Sequence, residues 1–552
     1  MKQNRTFNPY IIITVVYFLA NYFVLLLSGC WWDDLTFLTH DLTYINQVAS
    51  QSGRPEWNLL IPFCWSLTNN GRILIFVLYL LISYFVYNIF KNSTFFNKKQ
   101  SLILTLLFIV IPVNDARILM SNFPYTIGLF LFFLAFMLFV KWNNFNRKAF
   151  YRIIILITFF ISFILSSLLA FYYIIFIYLF IIEYKKCNEE KIIKKILVSI
   201  KTILINYFDF FILPIVFFIS NKLLFPITNS EFTGRSSITI EGLLKSFKYL
   251  PLSIFNIFSE ILSLYANCMK SVAVILSLCI LIVIVILKTK NNKTVNSDKI
   301  WYVLFGLLVF AIGIFAYVEV RGGIIISNGV KGRDAILTPL GIAIIIYGIS
   351  LFFNNKIRNA IYAIVIVLGA LSLNILYIEW QKDYYYQLSM ENLMNNEIIK
   401  NNDTFFLVDL NESNIDGQRY YTININANHV FNDETRFFIP KVSNLYILES
   451  DESINESKTI LNGSHMMKDY NPEDKCLDAI IIYSCDLDTM QTIRLKYYEL
   501  FNKQEFDMQI EKNGKMEIYE VDNDFTELLL KENRAGNLDN DNDVLELLEE
   551  YN

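Results

Sequence analysis

Tyr10-Ile11-Ile12-Ile13-Thr14-Val15-Val16-Tyr17-Phe18-Leu19-Ala20-Asn21-Tyr22-Phe23-Val24-Leu25-Leu26-Leu27-Ser28 is followed at once by Gly29-Cys30-Trp31-Trp32-Asp33-Asp34. The first run is uncharged and about as long as the roughly 20 apolar residues that cross a bilayer. It is too long for the apolar core of a signal peptide, and no small-residue cleavage pattern follows it, so it is expected to stay as a membrane helix. The aromatic pair suits the membrane–water interface, where an indole is apolar in body and wet at its N–H. Two carboxylates at that depth need a partner, a metal or a chemical task.

Similar windows recur along the chain. Of its 552 residues 55% are hydrophobic, with 48 Phe and 33 Tyr, more apolar than ordinary soluble domains. The runs near 10–28, 72–90, 101–113, 125–140, 153–166, 168–183, 202–220, 271–288, 300–318, 335–353 and 359–379 predict a polytopic all-α membrane protein of about eleven transmembrane helices. The stretch 153–183 is too long for one upright span. Ser166 and Ser167 mark a tight hairpin of two short helices or, alternatively, lie within one tilted helix. Residues 221–270 look too polar to span; Leu243, Leu244, Phe247, Leu250, Leu252, Ile254, Ile257, Phe258 and Ile261 suggest one or two helices lying in the interface plane or, alternatively, an amphipathic loop packed on protein.

Charge divides the chain. From Lys382 onward there are 15 Lys and Arg against 35 Asp and Glu; before it, 32 against 16. The acidic end argues against nucleic acid as a partner. In the apolar part, the loops around Lys91–Lys99, Lys141–Arg152, Lys185–Lys201, Lys288–Lys299 and Lys356–Arg358 concentrate the basic residues, and the positive-inside rule assigns them to the cytoplasm. Eleven spans then leave the N-terminus inside and put the Asp33–Asp34 loop, the 221–270 segment and the C-terminal part outside. Beyond Tyr384 the pattern changes. Thr404–Leu410 and Ala479–Tyr483 resemble buried strands, and Met508–Tyr519 alternates around Asn513-Gly514, a hairpin signal. The expected organisation is a transmembrane domain over 1–380, a small extracytoplasmic α/β domain over 381–522, and an acidic tail over 523–552.

Three groups of residues carry candidate chemistry. Asp33 and Asp34 form the first: a carboxylate in apolar surroundings can take a proton from a hydroxyl, or hold a divalent cation such as Mg or Mn through oxygen. Asp115 and Arg117 form the second, at the end of the third run; Asp115 can join Asp33 on a metal or bind an acceptor, and Arg117 can clamp it or a phosphate, or the two can simply pair. Arg321, Lys331 and Arg333 form the third, among the glycines Gly322, Gly323, Gly329 and Gly332. They lie on the outer side against the charge bias, so either a phosphate or diphosphate ligand is the reason for them or they stand on an exposed flexible loop. Asp209, inside the seventh run, either meets a basic residue at the cytoplasmic edge or lines a cavity.

This layout resembles the GT-C superfamily of integral-membrane glycosyltransferases, in particular those that use polyprenyl-phosphate sugars, including O-antigen glucosyltransferase-like enzymes. The resemblance covers about the first 380 residues. It rests on Asp33-Asp34 after the first helix, Asp115 after the third, the short pair around Ser166, the amphipathic 221–270 loop, and Gly332-Arg333-Asp334-Ala335-Ile336-Leu337-Thr338-Pro339 before a late span. It implies transfer of a sugar from a lipid-phosphate donor to a glycan or lipid-glycan acceptor outside the cytoplasm. Arg333, with Lys331 or Arg321, would meet the phosphate, and Asp33 or Asp34 would act as base. Alternatives are a Wzy-like polymerase or ligase using a diphosphate lipid, and a lipid-linked sugar transporter or flippase, although no internal repeat favours the latter.

Overall fold

The computed structural model describes residues 8–29, 31, 34, 42–54, 56–66, 70–93, 95–145, 148–189, 191–228, 240–288, 299–321, 323–394, 404–409, 436–441, 444–448, 479–485, 487–522, 524–525, 527–528, 531–532 and 541–551. It divides into two units: residues 1–26 with 40–377, and residues 27–39 with 378–552. The second break falls near the expected boundary at 380. The first does not: the loop carrying Asp34 groups with the C-terminal residues.

The first unit is helical. Asn8 caps α1 (Pro9–Asn21) by accepting the Tyr10 N–H, with Pro9 in the first turn, where its missing N–H costs nothing. There follow α2 (Leu42–Gln51), α3 (Trp57–Ser66), α4 (Asn70–Asn92) and α5 (Lys98–Val110), the last opened by a capping box between Asn97 and Gln100. Next come α6 (Phe123–Phe145), α7 (Ala149–Ser162), the single turn α8 (Leu168–Phe171), α9 (Ile174–Lys186), α10 (Ile192–Asn206) and α11 (Phe208–Leu224). The unit is completed by α12 (Ile240–Cys268), α13 (Val272–Lys288), α14 (Lys299–Arg321), α15 (Pro339–Ser350) and the first part of α16 (Asn355–Met394).

Among the described residues seven helical stretches are long and apolar enough to cross a membrane: 9–26, 71–92, 120–145, 168–186, 244–268, 299–319 and 355–386. The pair α10 and α11, bent by 64°, makes an eighth if counted as one broken span. Several apolar helices could therefore span a bilayer, as in a multi-pass membrane protein, but the count is below eleven. Physical length explains the difference. The 13 residues of α5 rise only about 20 Å, short of the ~30 Å hydrocarbon core. The 14 residues of α7 and 12 of α15 are short in the same way.

The 153–183 stretch is broken. Gly128 of α6 packs so closely on the turn after α7 that a Cβ there would lie 2.8 Å from the Leu165 Cβ. Tyr172 stacks edge-on against Phe159 and Phe163 of the incoming strand of chain, at 5.0 and 5.3 Å. Lys185 at the end of α9 returns to the Phe95 ring at 4.8 Å, while Arg152 at the start of α7 sits over Trp142 at the end of α6. Two short antiparallel helices thus turn near Ser166. Asp209 meets a basic residue: Arg152 donates to both its oxygens, at 2.7 and 2.5 Å.

The 221–270 segment contains one continuous 29-residue helix, α12, as the helical spacing of its apolar residues predicts, and part of it is among the candidate spans by length and composition. Its polar residues Ser253, Asn256 and Glu260 bond to the chain at 325–327, while Leu244, Phe247, Phe255 and Leu262 are exposed, as lipid-facing residues are.

Helices α14 and α15 pack through glycine. A Cβ on Gly341 would lie 2.5 Å from the Phe310 nitrogen, and one on Gly306 would lie 2.7 Å from the Ile345 nitrogen. Small residues let backbones meet where no water drives association. This close pair brackets the connecting segment 323–338, where the candidate site lies.

In the second unit a mixed five-stranded sheet has the order β3-β2-β1-β4-β5, from β1 (Thr404–Asp409), β2 (Arg436–Lys441), β3 (Asn444–Leu448), β4 (Ala479–Cys485) and β5 (Gly514–Glu520). β1 runs parallel to β2 and β4; β2–β3 and β4–β5 are antiparallel. Between β4 and β5 lie α17 (Thr489–Phe501) and α18 (Lys503–Asn513), and α19 (Asp541–Tyr551) ends the chain. The expected hairpin about Asn513-Gly514 is not formed. Residues 503–513 are helical because Asn502 caps them and Phe506 and Ile510, one turn apart, are both buried. Gly514 simply begins β5, with an ordinary extended φ of −88°.

Candidate functional site

Two segments far apart in sequence meet at one end of the first unit. Asp115 opens a short 3₁₀ turn, Asp115–Ile118, and Val330–Ala335 forms another. The Asn114 N–H donates to the Ser327 carbonyl at 2.8 Å, and the Gly329 N–H donates to Asp115 Oδ2 at 3.2 Å. Local chemistry permits this fit. Asn114 adopts the left-handed conformation, φ 58° and ψ 50°, which Asn tolerates better than most residues. Gly329 has φ 68° and ψ −164°, a region open essentially to glycine alone. Gly332 comes so near that a Cβ would lie 2.6 Å from the Ser327 carbonyl oxygen and 3.0 Å from Asp115 Oδ1.

The turn that touches Asp115 carries Lys331, which is exposed, and Arg333, which is half-buried. Asp334 beside them is buried. Tyr317 of α14 lies within electrostatic reach of Arg333 and Asp334, and its hydroxyl is 2.9 Å from Ser167 Oγ at the tip of the α7–α9 hairpin. Arg54 reaches the same tip, donating to Ser166 Oγ at 3.3 Å. Next to it, burial lifts the Glu56 carboxyl above its ordinary value, against the opposing pull of its own N–H and of Arg54.

A further acid supports the arrangement from α12. Glu260 Oε2 accepts the Ser327 N–H at 2.7 Å and also the Ser327 hydroxyl, while Oε1 accepts from Asn256 Nδ2 at 2.7 Å. Asn256 in turn donates to the Ile325 carbonyl at 3.1 Å, and Ser253 Oγ accepts the Ile325 N–H at 3.0 Å. One face of α12 thus holds residues 325–327 like a short strand.

Arg117 is placed differently from Lys331 and Arg333. It donates from Nε to the Tyr377 hydroxyl at 2.8 Å and from Nη2 to Asn21 Oδ1 at 2.6 Å. Its guanidinium lies over the rings of Tyr79 and Tyr377, at 5.1 and 5.7 Å. Those contacts tie α1, α4 and α16 together around one cation, an arrangement that Arg suits better than Lys. A simple Asp115–Arg117 pair, the other reading of these two residues, is not among the ion pairs of the described residues.

Asp34 lies in the second unit and is buried. Asp33, with Cys30, Trp32, His40 and Asp41, lies outside the described residues. Arg321 is the last residue of α14. Among the described residues no group of three His, Cys, Asp or Glu side chains is set to hold a metal ion; Asp33, the other half of the expected Mg or Mn pair, is not among them.

Comparison of the chain with protein-family models, with characterised proteins and with solved structures returns no match. The functional reading therefore rests on the residues themselves.

Glu260 and the partners of Arg117 do not emerge from the sequence. Glu260 had a signal, since an acid within an apolar helical stretch is functional by default, but the segment's average polarity hid it. The Tyr79, Tyr377 and Asn21 partners of Arg117 had none, because aromatic residues are everywhere in these helices.

Proposed function

We propose that this chain is an integral-membrane glycosyltransferase that moves a sugar, with inversion, from a polyprenyl-phosphate donor to an acceptor hydroxyl on the extracytoplasmic face. The observation that carries the reading is the meeting of Asp115 with the Gly329–Arg333 turn. An early acid and late cations converge at a helix-bundle end, where a lipid-borne phosphate can arrive from the side. Arg333 supplies a planar fork for phosphate oxygens and Lys331 a mobile point charge.

In this reading Asp34 or Asp33 removes the acceptor hydroxyl proton as its oxygen attacks the anomeric carbon. The bond from that carbon to the phosphate oxygen breaks, and polyprenyl phosphate leaves with the electron pair. Arg333 and Lys331 balance the charge that builds on the leaving phosphate. Asp115 orients the turn and can accept a hydrogen bond from the acceptor.

The orientation follows from charge. The basic segments near Lys91, Lys148, Arg152 and Lys185 gather at the end of the bundle away from Asp115, as the contacts of Arg152 with Trp142 and of Lys185 with Phe95 support. By the positive-inside rule that end is cytoplasmic and Arg333 faces outward.

The test is turnover by the purified protein in detergent, where no gradient exists. The expected result is release of polyprenyl phosphate from a monophosphate-linked hexose, reduced on the order of 10²–10⁴-fold in Asp33→Asn or Asp34→Asn. Turnover of a diphosphate-linked oligosaccharide instead, or wild-type rates in both single variants and the double, overturns the assignment.

A further inference from the structure

Residues 27–34 follow α1 in sequence, yet group with the C-terminal unit. Within that unit Ser28 is held from two sides. Its N–H donates to Gln381 Oε1 of α16 at 2.8 Å, and its hydroxyl accepts from Lys496 Nζ of α17 at 2.6 Å. Lys496 also pairs with Glu499 at 2.8 Å, and Glu499 accepts the Tyr385 hydroxyl at 2.5 Å. Gly29 and Trp31 are seated on α16. A Cβ on Gly29 would fall 2.1 Å from the Tyr384 ring, Trp31 packs edge-on against Trp380 at 5.5 Å, and the Asp34 N–H donates to the Trp31 carbonyl at 3.1 Å.

Lys496 is 4% exposed. A buried ammonium is costly unless satisfied, and α17 needs only an apolar residue beside the buried Thr492 and Leu495 if its inward face serves packing alone. The charge spans 468 positions of sequence to reach Ser28. We infer that the C-terminal unit positions the acid-bearing loop, and that Lys496, through Ser28, sets where Asp34 stands. This rests on the reading of Asp34 as a candidate base. Lys496 is a positioning residue: it acts through Ser28 and the Trp31 turn, not on the reacting atoms.

The experiment uses the full chain in detergent, with Lys496→Met, Lys496→Arg and Ser28→Ala. Hydrogen exchange is followed on the peptide covering 27–34 and on peptides from α4 and α6. The substrate probe is a polyprenyl-phosphate-linked hexose. Lys496→Met and Ser28→Ala are expected to speed exchange in 27–34 and leave α4 and α6 unchanged. They should lower kcat on the order of 10–100-fold, the effect of a catalytic group displaced by about an ångström, while the donor KM stays within about threefold, since the phosphate-binding turn is untouched. Lys496→Arg should restore most of both. Unchanged exchange in 27–34, or faster exchange with unchanged kcat, overturns the proposal. If Lys496→Met fails to fold, Ser28→Ala decides it, because that change removes one hydroxyl. Failure of the base assignment is separately visible: Asp33→Asn and Asp34→Asn would then keep wild-type kcat, while the exchange result would still report whether Lys496 holds the loop.

Discussion

Asp115 and Gly329, 214 positions apart, are joined by a hydrogen bond from the Gly329 N–H to Asp115 Oδ2 at 3.2 Å. The acid therefore shapes the backbone of the turn on which Lys331 and Arg333 stand.

Asp115→Ala removes this acceptor and leaves the Gly329 N–H buried without it, at a cost of about 1–3 kcal/mol. Gly332→Ala acts on the same joint from the other side, because its Cβ would lie 2.6 Å from the Ser327 carbonyl oxygen; overpacking of this kind costs about 1–3 kcal/mol. Both variants are expected to lower the unfolding midpoint in detergent and to weaken transfer. The double variant should lose less than the sum of the two, since the contacts are shared. Strict additivity, or two variants as stable as the parent, shows that the joint does not hold the turn.

Glu260 holds Ser327 with one oxygen and Asn256 with the other. Glu260→Gln retains one carbonyl acceptor but presents an amide to the remaining donors. Glu260→Ala loses both. The expected order of stability is parent, then Gln, then Ala, with the Ala variant lower by about 1–3 kcal/mol. Hydrogen exchange at 325–329 should accelerate in the same order. Equal exchange in all three proteins removes Glu260 from the support of the site.

What could be read beforehand follows from how each signal is encoded. Lys331 and Arg333 were legible because cations beside glycine, at the bundle end opposite the basic loops, stand out against a one-dimensional charge bias. Their meeting with Asp115 is not encoded in the one-dimensional pattern, because no periodicity links positions 115 and 329. The α7–α9 hairpin was legible from length, since 153–183 exceeds a span. α12 was legible as a helix from its apolar spacing, but average polarity cannot tell Ser253, Asn256 and Glu260 facing a neighbouring segment from the same residues facing water. The Asn513-Gly514 signal failed because Phe506 and Ile510, at helical spacing and buried, outweighed a turn dipeptide. Asp34 was legible as an unusual acid, but its grouping with residues beyond Ile378 depends on contacts hundreds of positions away.

Glu56 gives a pH dependence of stability. Burial lifts its carboxyl above the ordinary value of 4.5, and its own N–H and Arg54 offset only part of that. The folded chain therefore binds this proton more tightly than the unfolded chain does. The stabilising contribution is full below 4.5 and is lost as the pH rises through the folded-state value. Glu56→Gln fixes the neutral form. The variant is expected to melt above the parent at pH 8 and to converge with it as the pH is lowered toward 4.5. A thermal-unfolding series across that range checks the sign; a gap that does not change with pH, or a parent more stable at pH 8, contradicts the assignment.

Arg333 separates phosphate recognition from simple charge. If its fork meets the donor phosphate, Arg333→Lys keeps the charge but loses the paired N–H geometry, and Arg333→Ala loses both. Part of the interaction strengthens as charge collects on the departing phosphate, so kcat should fall as well as donor affinity. The expected pattern is kcat/KM for a polyprenyl-phosphate hexose lowered about tenfold in the Lys variant and about 100-fold or more in the Ala variant. These correspond to roughly 1.4 and 2.7 kcal/mol of transition-state stabilisation. The acceptor KM should stay near the parent value in both. Steady-state kinetics with donor and acceptor varied separately make the measurement. An Ala variant that changes only the acceptor KM would move Arg333 from the phosphate to the acceptor side of the reaction, and one with parent kinetics would remove it from the site.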